Sequence, residues 1–218
     1  MTFEEIRNNE NIKDYIREAD HYLGALGYTE HGFAHVGIVV KRTEMILRTL
    51  GFDEKTIELA KIAAYLHDIG NIVNRKGHSQ SGATMAFRIL DNLGFSAIEI
   101  SAIICAIGNH DEGDGLPVSP LAAALILADK SDVRRSRVRN DDINDFDIHD
   151  RVNYSVTDTD LLINKEEREV ELRLSIDHNI SSVMDYFSIF MQRMELCQKA
   201  ANSLDMRFKL VINGQQLF

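Results

Sequence analysis

The spacing of the apolar residues changes near residue 140, and this change constrains the fold more than any other feature of the sequence. Before it, apolar side chains recur every three or four residues, which is the spacing of an amphipathic helix. After it, apolar and polar residues alternate in several short runs, which is the spacing of a strand. We therefore expect a mainly α protein, with a helical bundle followed by a small α+β part.

Capping residues and glycines mark where the helices of the first part begin and end. Asp53, Ser96 and Ser119 each precede an apolar helical pattern, as N-cap residues do, and Pro120 suits the first helical position. Glycine follows several of these patterns, which is typical of a helix C-terminus. The predicted helices cover about residues 12–26, 31–50, 54–70, 78–93, 97–108 and 120–139.

The part after residue 140 opens with an acidic segment, NDDINDFDIHD, that is poor in large apolar residues. We predict a helical domain at residues 1–140, an acidic linker at residues 141–150 and a small α+β subdomain at residues 151–218. The subdomain should hold an antiparallel sheet and one long helix. Its predicted elements are a strand at Tyr154/Val156, a hairpin connection at 164–168, a strand at 170–176, a helix at 180–204, a strand at 208–212 and a turn at Asn213-Gly214.

The bulk composition is that of an acidic globular protein. The 218 residues carry a formal net charge of -10, which disfavours non-specific binding to nucleic acid or to a membrane surface. The longest apolar run, Leu121 to Ala128, is too short to span a bilayer, and the N-terminus does not have the pattern of a secretory signal. Cys105 and Cys197 lie in apolar helical patterns and are expected to be buried, reduced thiols. A cytoplasmic location fits these features.

Several histidines and aspartates fall at helix ends or on apolar helix faces, where an unpaired charged group would be costly. Imidazole and carboxylate together suit iron, manganese, zinc or similar divalent ions. Ligands at the ends of several helices can converge on one point in a bundle. The candidate metal ligands are His35, His67, Asp68, His78, His110 and Asp129.

The adjacent pair His67-Asp68 is the centre of this set. Neighbouring side chains on a helix point about 100° apart, because the helix has 3.6 residues per turn. The pair can therefore approach one ion from two directions, or its carboxylate can bridge two ions. A single HD dipeptide is weak evidence for a metal site, but the ordered set of six residues is far more specific.

The ordered residues resemble the HD-domain superfamily of metal-dependent phosphohydrolases over about residues 25–140. The stretches TEHGFAHV, AAYLHDIGN, RKGHSQSGA, IGNH and ADKSD carry the resemblance. It implies that His35, His67, Asp68 and Asp129 bind one metal ion, that His78 and His110 bind a second, and that Asp68 bridges the two. Some relatives with two metals have a further histidine where this chain has Asp111, and many have lysine where it has Asn71.

The resemblance implies hydrolysis of a phosphate ester of a nucleotide or another small phosphorylated molecule, with Asp68 and His67 as the catalytic pair. A bound metal lowers the pKa of water and so supplies hydroxide near neutral pH. The sequence contains neither a G-x-S-x-G motif nor a P-loop. Two alternatives remain open: a di-iron oxygenase on the same ligand set, and a non-catalytic metal-bound sensor. The resemblance to the family implies a homodimer. No pattern in this chain indicates one.

Substrate phosphates require cations besides the metals, and two basic clusters qualify. The first is Arg75 and Lys76 after the HDIG turn, and the second is Lys130, Arg134 and Arg137 on the predicted last helix. The alternative for the second cluster is a solvated face that balances the acidic segment.

Three further residues are candidates for supporting the metal ligands. Asp132 lies one turn after Asp129, His31 lies one turn before His35, and Asp111 follows His110. His149 is expected at the surface.

Overall fold

The computed structural model describes residues 2–218, which form nine α-helices and a four-stranded sheet. The helices are α1 (Phe3–Arg7), α2 (Glu10–Ala25), α3 (Phe33–Leu50), α4 (Glu54–Leu66), α5 (His78–Asn92), α6 (Ala97–Gly108), α7 (Pro120–Lys130), α8 (Ile148–Ser155) and α9 (Val183–Ser203). The strands are β1 (Val156–Asn164), β2 (Glu169–Ile176), β3 (Arg207–Ile212) and β4 (Gln215–Gln216). The mainly α fold class predicted from the apolar spacing is confirmed.

The predicted caps begin the helices that they precede. Asp53, Ser96 and Ser119 each accept a hydrogen bond from the amide three residues later, which satisfies one of the free N–H groups of a helix N-terminus. The short helix α1, which was not predicted, has a complete capping box made by Thr2 and Glu5.

Helix α7 is the centre of the bundle. Every residue from Leu121 to Ala128 is buried, and the helix packs against α3, α4, α6 and α9. A helix that is apolar on all sides must be enclosed on all sides, as this one is. The apolar core around it includes side chains from both predicted parts of the chain, and the division at residue 140 stays a prediction.

The end of α7 corrects one expectation. The helix ends at Lys130, whereas the sequence predicted that it would continue to about Arg139. The backbone carbonyl of Asp132 accepts a hydrogen bond of 2.7 Å from the Arg137 guanidinium, so a side chain takes the acceptor that a helix would give to its own backbone. The helical face that was predicted to align Lys130, Arg134 and Arg137 therefore does not exist.

The sheet has the order β1-β2-β3-β4 and is mixed. The β1–β2 hairpin and the β3–β4 pair are antiparallel, as expected. The β2–β3 pair is parallel, which corrects the prediction of an antiparallel sheet for that pair, because α9 carries the chain back to the same end before β3 begins. Tyr154 lies in α8 rather than in a strand, and α8 begins inside the predicted linker and runs directly into β1.

None of the helices in the described part of the chain is both long enough and apolar enough to cross a membrane.

Candidate metal centre

The bundle brings all six predicted metal ligands together. His35 lies in the first turn of α3, His67 directly follows α4, and Asp68 precedes a short 3-10 turn. His78 is the first residue of α5. His110 comes just after α6, and Asp129 lies in the last turn of α7. All six side chains are buried, and each of the six residues lies at the end of an α-helix or within two positions of one.

Four ligand atoms form the first half of the centre. His35 Nε2 lies 3.4 Å from His67 Nε2 and 3.3 Å from Asp129 Oδ1. Asp68 Oδ2 lies 3.3 Å from His67 Nε2 and 3.8 Å from His35 Nε2. Ligand atoms bound to one ion at about 2.0–2.2 Å are separated by roughly 3 to 3.5 Å. The separations of 3.3 and 3.4 Å fit a single divalent ion, and the separation of 3.8 Å between Asp68 Oδ2 and His35 Nε2 is slightly wider.

The other oxygen of Asp68 faces the second half of the centre. Asp68 Oδ1 lies 3.3 Å from His78 Nε2 and 3.9 Å from His110 Nε2, and the two imidazole nitrogens are 3.1 Å apart. Asp111 adds a carboxylate oxygen 4.0 Å from His78 Nε2. The two halves adjoin, since His67, Asp68 and His110 also offer ligand atoms within 4.8 Å of one another. The Asp68 carboxylate thus stands between two sets of imidazoles.

Hydrogen bonds fix which nitrogen of each imidazole faces the centre. The Nδ1 atoms of His67, His78 and His110 lie 2.8, 2.9 and 2.6 Å from the carbonyl oxygens of Ala64, Arg75 and Ile107. A carbonyl oxygen can only accept, so each Nδ1 carries the proton and donates it. Each neutral Nε2 then offers a lone pair to the centre. Two lone pairs at 3.1 to 3.4 Å repel each other unless a cation lies between them, so these nitrogens are arranged as ligands that could hold a divalent metal ion.

The pKa directions of Asp68, Asp129 and His110 agree with this arrangement. Burial alone would raise the pKa of Asp68 and of Asp129, but the surrounding histidines, joined at Asp129 by Lys130, together outweigh burial and hold both pKa values well below their usual range. Burial lowers the pKa of His110 well below its ordinary value, so that imidazole is neutral at pH 7. Burial also acts to lower the pKa of His67, and the carboxylates of Asp68 and Asp129 reverse this and raise it. Ionised carboxylates and neutral imidazoles are the forms that bind a metal, so a metal would have to displace the proton that the raised pKa favours on His67.

Two glycines let the turn that carries Asp68 approach α5. A Cβ atom on Gly70 would lie 2.0 Å from the His78 carbonyl oxygen and 2.4 Å from the Gly82 amide nitrogen. Glycine is therefore required at position 70, because the two backbones are in direct contact there. This contact places His78 next to the Asp68 carboxylate.

Asn71, which replaces the lysine of many relatives, is buried beside Asp68. Its Nδ2 donates to both the backbone oxygen and the Oδ1 of Asp68, each at 2.9 Å. Arg75 in turn donates to Asn71 Oδ1 at 3.3 Å. The Asn71 side chain thus holds the carboxylate that joins the two halves of the centre.

A buried chain of ion pairs connects the centre to α9. Lys130 Nζ lies 2.7 Å from Asp129 Oδ2 and 3.0 Å from Glu112 Oε2, and Glu112 accepts from Arg193 of α9 at 2.8 Å. Sequence reasoning missed Glu112 and Arg193. Nothing in the sequence pattern relates two residues 81 positions apart, and Arg193 lies within an ordinary amphipathic helix.

The five predicted substrate cations are placed very differently. Arg75 and Arg137 line a cavity beside the centre. Lys130 is engaged by Asp129 and Glu112, and Arg134 is engaged by Asp132 and Glu30. Lys76 is exposed and is not part of the cavity lining.

The cavity has a volume of about 400 Å³ and lies between the α2–α3 connection, α8 and α9. His31 lines it, and the ring of His31 is 5.5 Å from the ring of His35, so the cavity adjoins the metal centre. His149, expected at the surface, is exposed and also lines the cavity. The remaining contributions come from α2–α3 loop residues, from Asp147, Asp150 and Asn153, and from Phe190 and Arg193.

Comparison with known proteins agrees with the geometry. Residues 32–134 match the HD domain family, and this range contains all six candidate ligands. An uncharacterized protein of Methanocaldococcus jannaschii is 28% identical over 64% of this chain, which spans 62% of the length of that relative. With the ligands in the order and arrangement described above, residues 32–134 form the part of this chain that is similar to an HD domain.

Proposed function

We propose that the protein hydrolyses a phosphate ester of a small molecule at a centre that holds two divalent metal ions. The main support is the position of Asp68, whose two carboxylate oxygens face different sets of imidazoles. A carboxylate placed in this way is suited to bridge two ions, and paired ions are common in enzymes that cleave phosphate esters.

The two sets of donors define the proposed metal ligands. His35, His67, Asp68 and Asp129 would hold one ion, and Asp68, His78 and His110 would hold the other, with Asp111 as a further carboxylate. Nitrogen and oxygen donors of this kind suit iron or manganese. When bound, divalent ions supply Lewis-acid stabilisation of charge on phosphate oxygens and lower the pKa of bound water.

The protein's own residues would bind and orient the substrate. Arg75 Nη1 is 4.0 Å from Asp68 Oδ1 and lines the cavity, so its guanidinium is placed to bind a phosphate that reaches the centre. Arg137 and Arg193 line the same cavity and add positive charge near it. The volume of about 400 Å³ favours a small phosphorylated molecule, such as a nucleotide, over a polymer.

Metal analysis followed by a substrate screen tests the proposal. The purified protein should contain iron or manganese at up to two equivalents, and it should release phosphate from nucleotides or other phosphate esters when supplied with manganese, iron, cobalt, nickel or magnesium. Asp68→Asn should lose at least about 1,000-fold in kcat, because the bridging charge is removed. Asp141→Asn changes an exposed carboxylate in the acidic segment and should have no effect.

The same assay separates hydrolysis from oxygen chemistry on the same ligands. Phosphate release without oxygen uptake supports the proposal. Oxygen consumption that depends on substrate, or metal-loaded protein that releases no phosphate from any ester, would contradict it.

A further inference from the structure

The cavity beside the metal centre carries opposite charges in different parts of its lining. Arg75, Arg137 and Arg193 contribute guanidinium groups, and Asp147 and Asp150 contribute carboxylates. The guanidinium groups belong to the side of the metal centre: Arg75 lies 4.0 Å from Asp68, and Arg137 donates to the Asp132 backbone oxygen. Arg193 joins the ion-pair chain that begins at Asp129.

The carboxylates lie where the first cavity borders a second one. A second, neighbouring cavity is also lined by Asp147 and Asp150, and it adds Asp145 and Arg139. The two cavities share the α2–α3 residues Leu26 and Gly27 as well. A molecule that extends from the metal centre through the first cavity would therefore meet these carboxylates with its far end.

Asp150 is the unusual member of this lining. Asp150 is only 9% exposed. Its carboxylate nevertheless makes no hydrogen bond and no ion pair with any of the described residues. Only its backbone amide is engaged, as donor to Asp147 Oδ1. The other strongly buried aspartates described above, Asp68, Asp129 and Asp132, all have partners.

The surroundings of Asp150 favour a positively charged partner. Burial raises the pKa of its carboxyl, and the neighbouring carboxylate of Asp147 raises it further. The Asp150 carboxylate faces the cavity without a protein partner among the described residues, so it is open to a ligand that enters there. A cation relieves both the burial cost and the repulsion between the two carboxylates, which a neutral hydroxyl group does not.

We propose that Asp150 binds an ammonium group at the far end of the substrate, so that the molecule hydrolysed is a phosphate ester that also carries an amine. The inference rests on the proposed function, since it takes the phosphate end of the substrate to lie at the metal centre. Asp147 lies beside Asp150 and strengthens the negative potential there.

A series of matched phosphate esters tests the inference on the wild-type protein. The ω-aminoalkyl phosphates from aminoethyl to aminooctyl are compared with n-alkyl phosphates of the same length, so that each pair differs only in the amine. At the chain length that spans the cavity, kcat/KM should be about 10- to 100-fold higher for the amine, as for a hydrogen bond to a charged group. The gain should appear mainly in KM. Equal values at every length would overturn the inference.

Variants then locate the preference. In Asp150→Asn, which keeps the size of the side chain, the ratio of the two kcat/KM values should fall towards one, with thermal melting used to verify folding. The control Asp141→Asn should leave both rates unchanged. An amine preference that survives in Asp150→Asn would also overturn the inference.

Binding separates failure of the inference from failure of the proposed function. Calorimetric titration with ω-aminoalkylphosphonates and n-alkylphosphonates requires no hydrolysis. Tighter binding of the amines, lost in Asp150→Asn, would support the Asp150 assignment even if no ester were cleaved. Cleavage of esters with no amine preference in rate or binding would reject the assignment and leave the proposed function standing.

Discussion

The Nδ1 atom of His35 lies 2.7 Å from a carboxylate oxygen of Asp132, so a metal ligand on α3 is oriented by a residue 97 positions later in the chain. Asp132 has no exposed surface, and it also accepts from Arg134 Nε at 2.9 Å. Burial acts to raise its pKa, but the hydrogen bond from His35 and the charge of Arg137 outweigh burial and lower it. The ionised carboxylate therefore holds the His35 ring with Nε2 towards the centre.

Asp132→Asn should weaken metal binding by about 10- to 100-fold, because it removes the negative charge that makes His35 Nε2 a stronger electron-pair donor to a metal. Asp132→Ala should weaken it further, since His35 would lose its acceptor. The dissociation constant is measured by competition with a chelator. Asp141→Asn serves as the control, and an unchanged affinity in Asp132→Asn would show that the hydrogen bond does not tune the centre.

The two halves of the centre should differ in metal content when their ligands are changed one at a time. His110→Ala removes a ligand of the second half only, and we expect it to hold about one equivalent of metal where the wild type holds two. His21→Ala, which changes an exposed histidine, should retain the wild-type content. Elemental analysis after dialysis gives the ratio, and two equivalents in His110→Ala would contradict the assignment of that half.

Replacing glycine with alanine should have opposite effects on stability at Gly70 and at Gly37. Gly70→Ala places a Cβ atom 2.0 Å from a backbone oxygen, so it should lower the melting temperature and reduce metal content by displacing His78. A Cβ on Gly37, which lies inside α3, meets nothing within 4 Å. Gly37→Ala should therefore stabilise the protein by about 0.5–1 kcal/mol. Equal stability of the two variants in urea unfolding would contradict the close approach at Gly70.

Cys197 should remain protonated in the folded protein over the physiological range. Burial raises its pKa to about 12, so at pH 8 only about one molecule in 10,000 carries the thiolate that reacts with disulfide reagents. In a Cys105→Ser background, the thiol should react only as fast as the protein unfolds. Rapid labelling of the native protein would be the contrary result.

The same pKa shift makes the stability of the folded protein depend on pH. The folded state keeps the thiol proton to higher pH than the unfolded chain, whose thiol titrates near 8.5. The stabilisation by the protonated thiol is thus complete below about pH 8.5 and is lost as pH rises towards 12. Over that window, Cys197→Ala should lose less stability with rising pH than the wild type, as measured by urea unfolding at each pH.

The metal ligands could be predicted from the sequence because each carries a local signal. His67-Asp68 ends one helical pattern, His78 begins another, and Asp129 is the first charge after an entirely apolar helix. Chain order and helix ends were enough to propose that these residues converge. The caps at Asp53, Ser96 and Ser119 likewise mark real helix starts because capping is a local interaction.

Features that depend on contacts between distant residues could not be predicted in this way. Helix α7 ends at Lys130, and Arg137 takes the backbone acceptor of Asp132 just beyond it; no pattern in the sequence indicates either feature. The parallel pairing of β2 with β3 depends on where α9 returns the chain, which alternation alone does not reveal. In the sequence, Asp150 is one more charge in an acidic segment. Only the fold shows that it is buried beside the cavity.

The ion pairs from Asp129 through Lys130 and Glu112 to Arg193 have a thermodynamic consequence for the molecule as a whole. They couple a proposed metal ligand to α9, which forms one wall of the cavity. Coupling between two sites is reciprocal. A substrate that draws α9 into place must tighten metal binding by the same factor by which metal binding tightens the substrate, and Arg193→Ala should uncouple the two affinities.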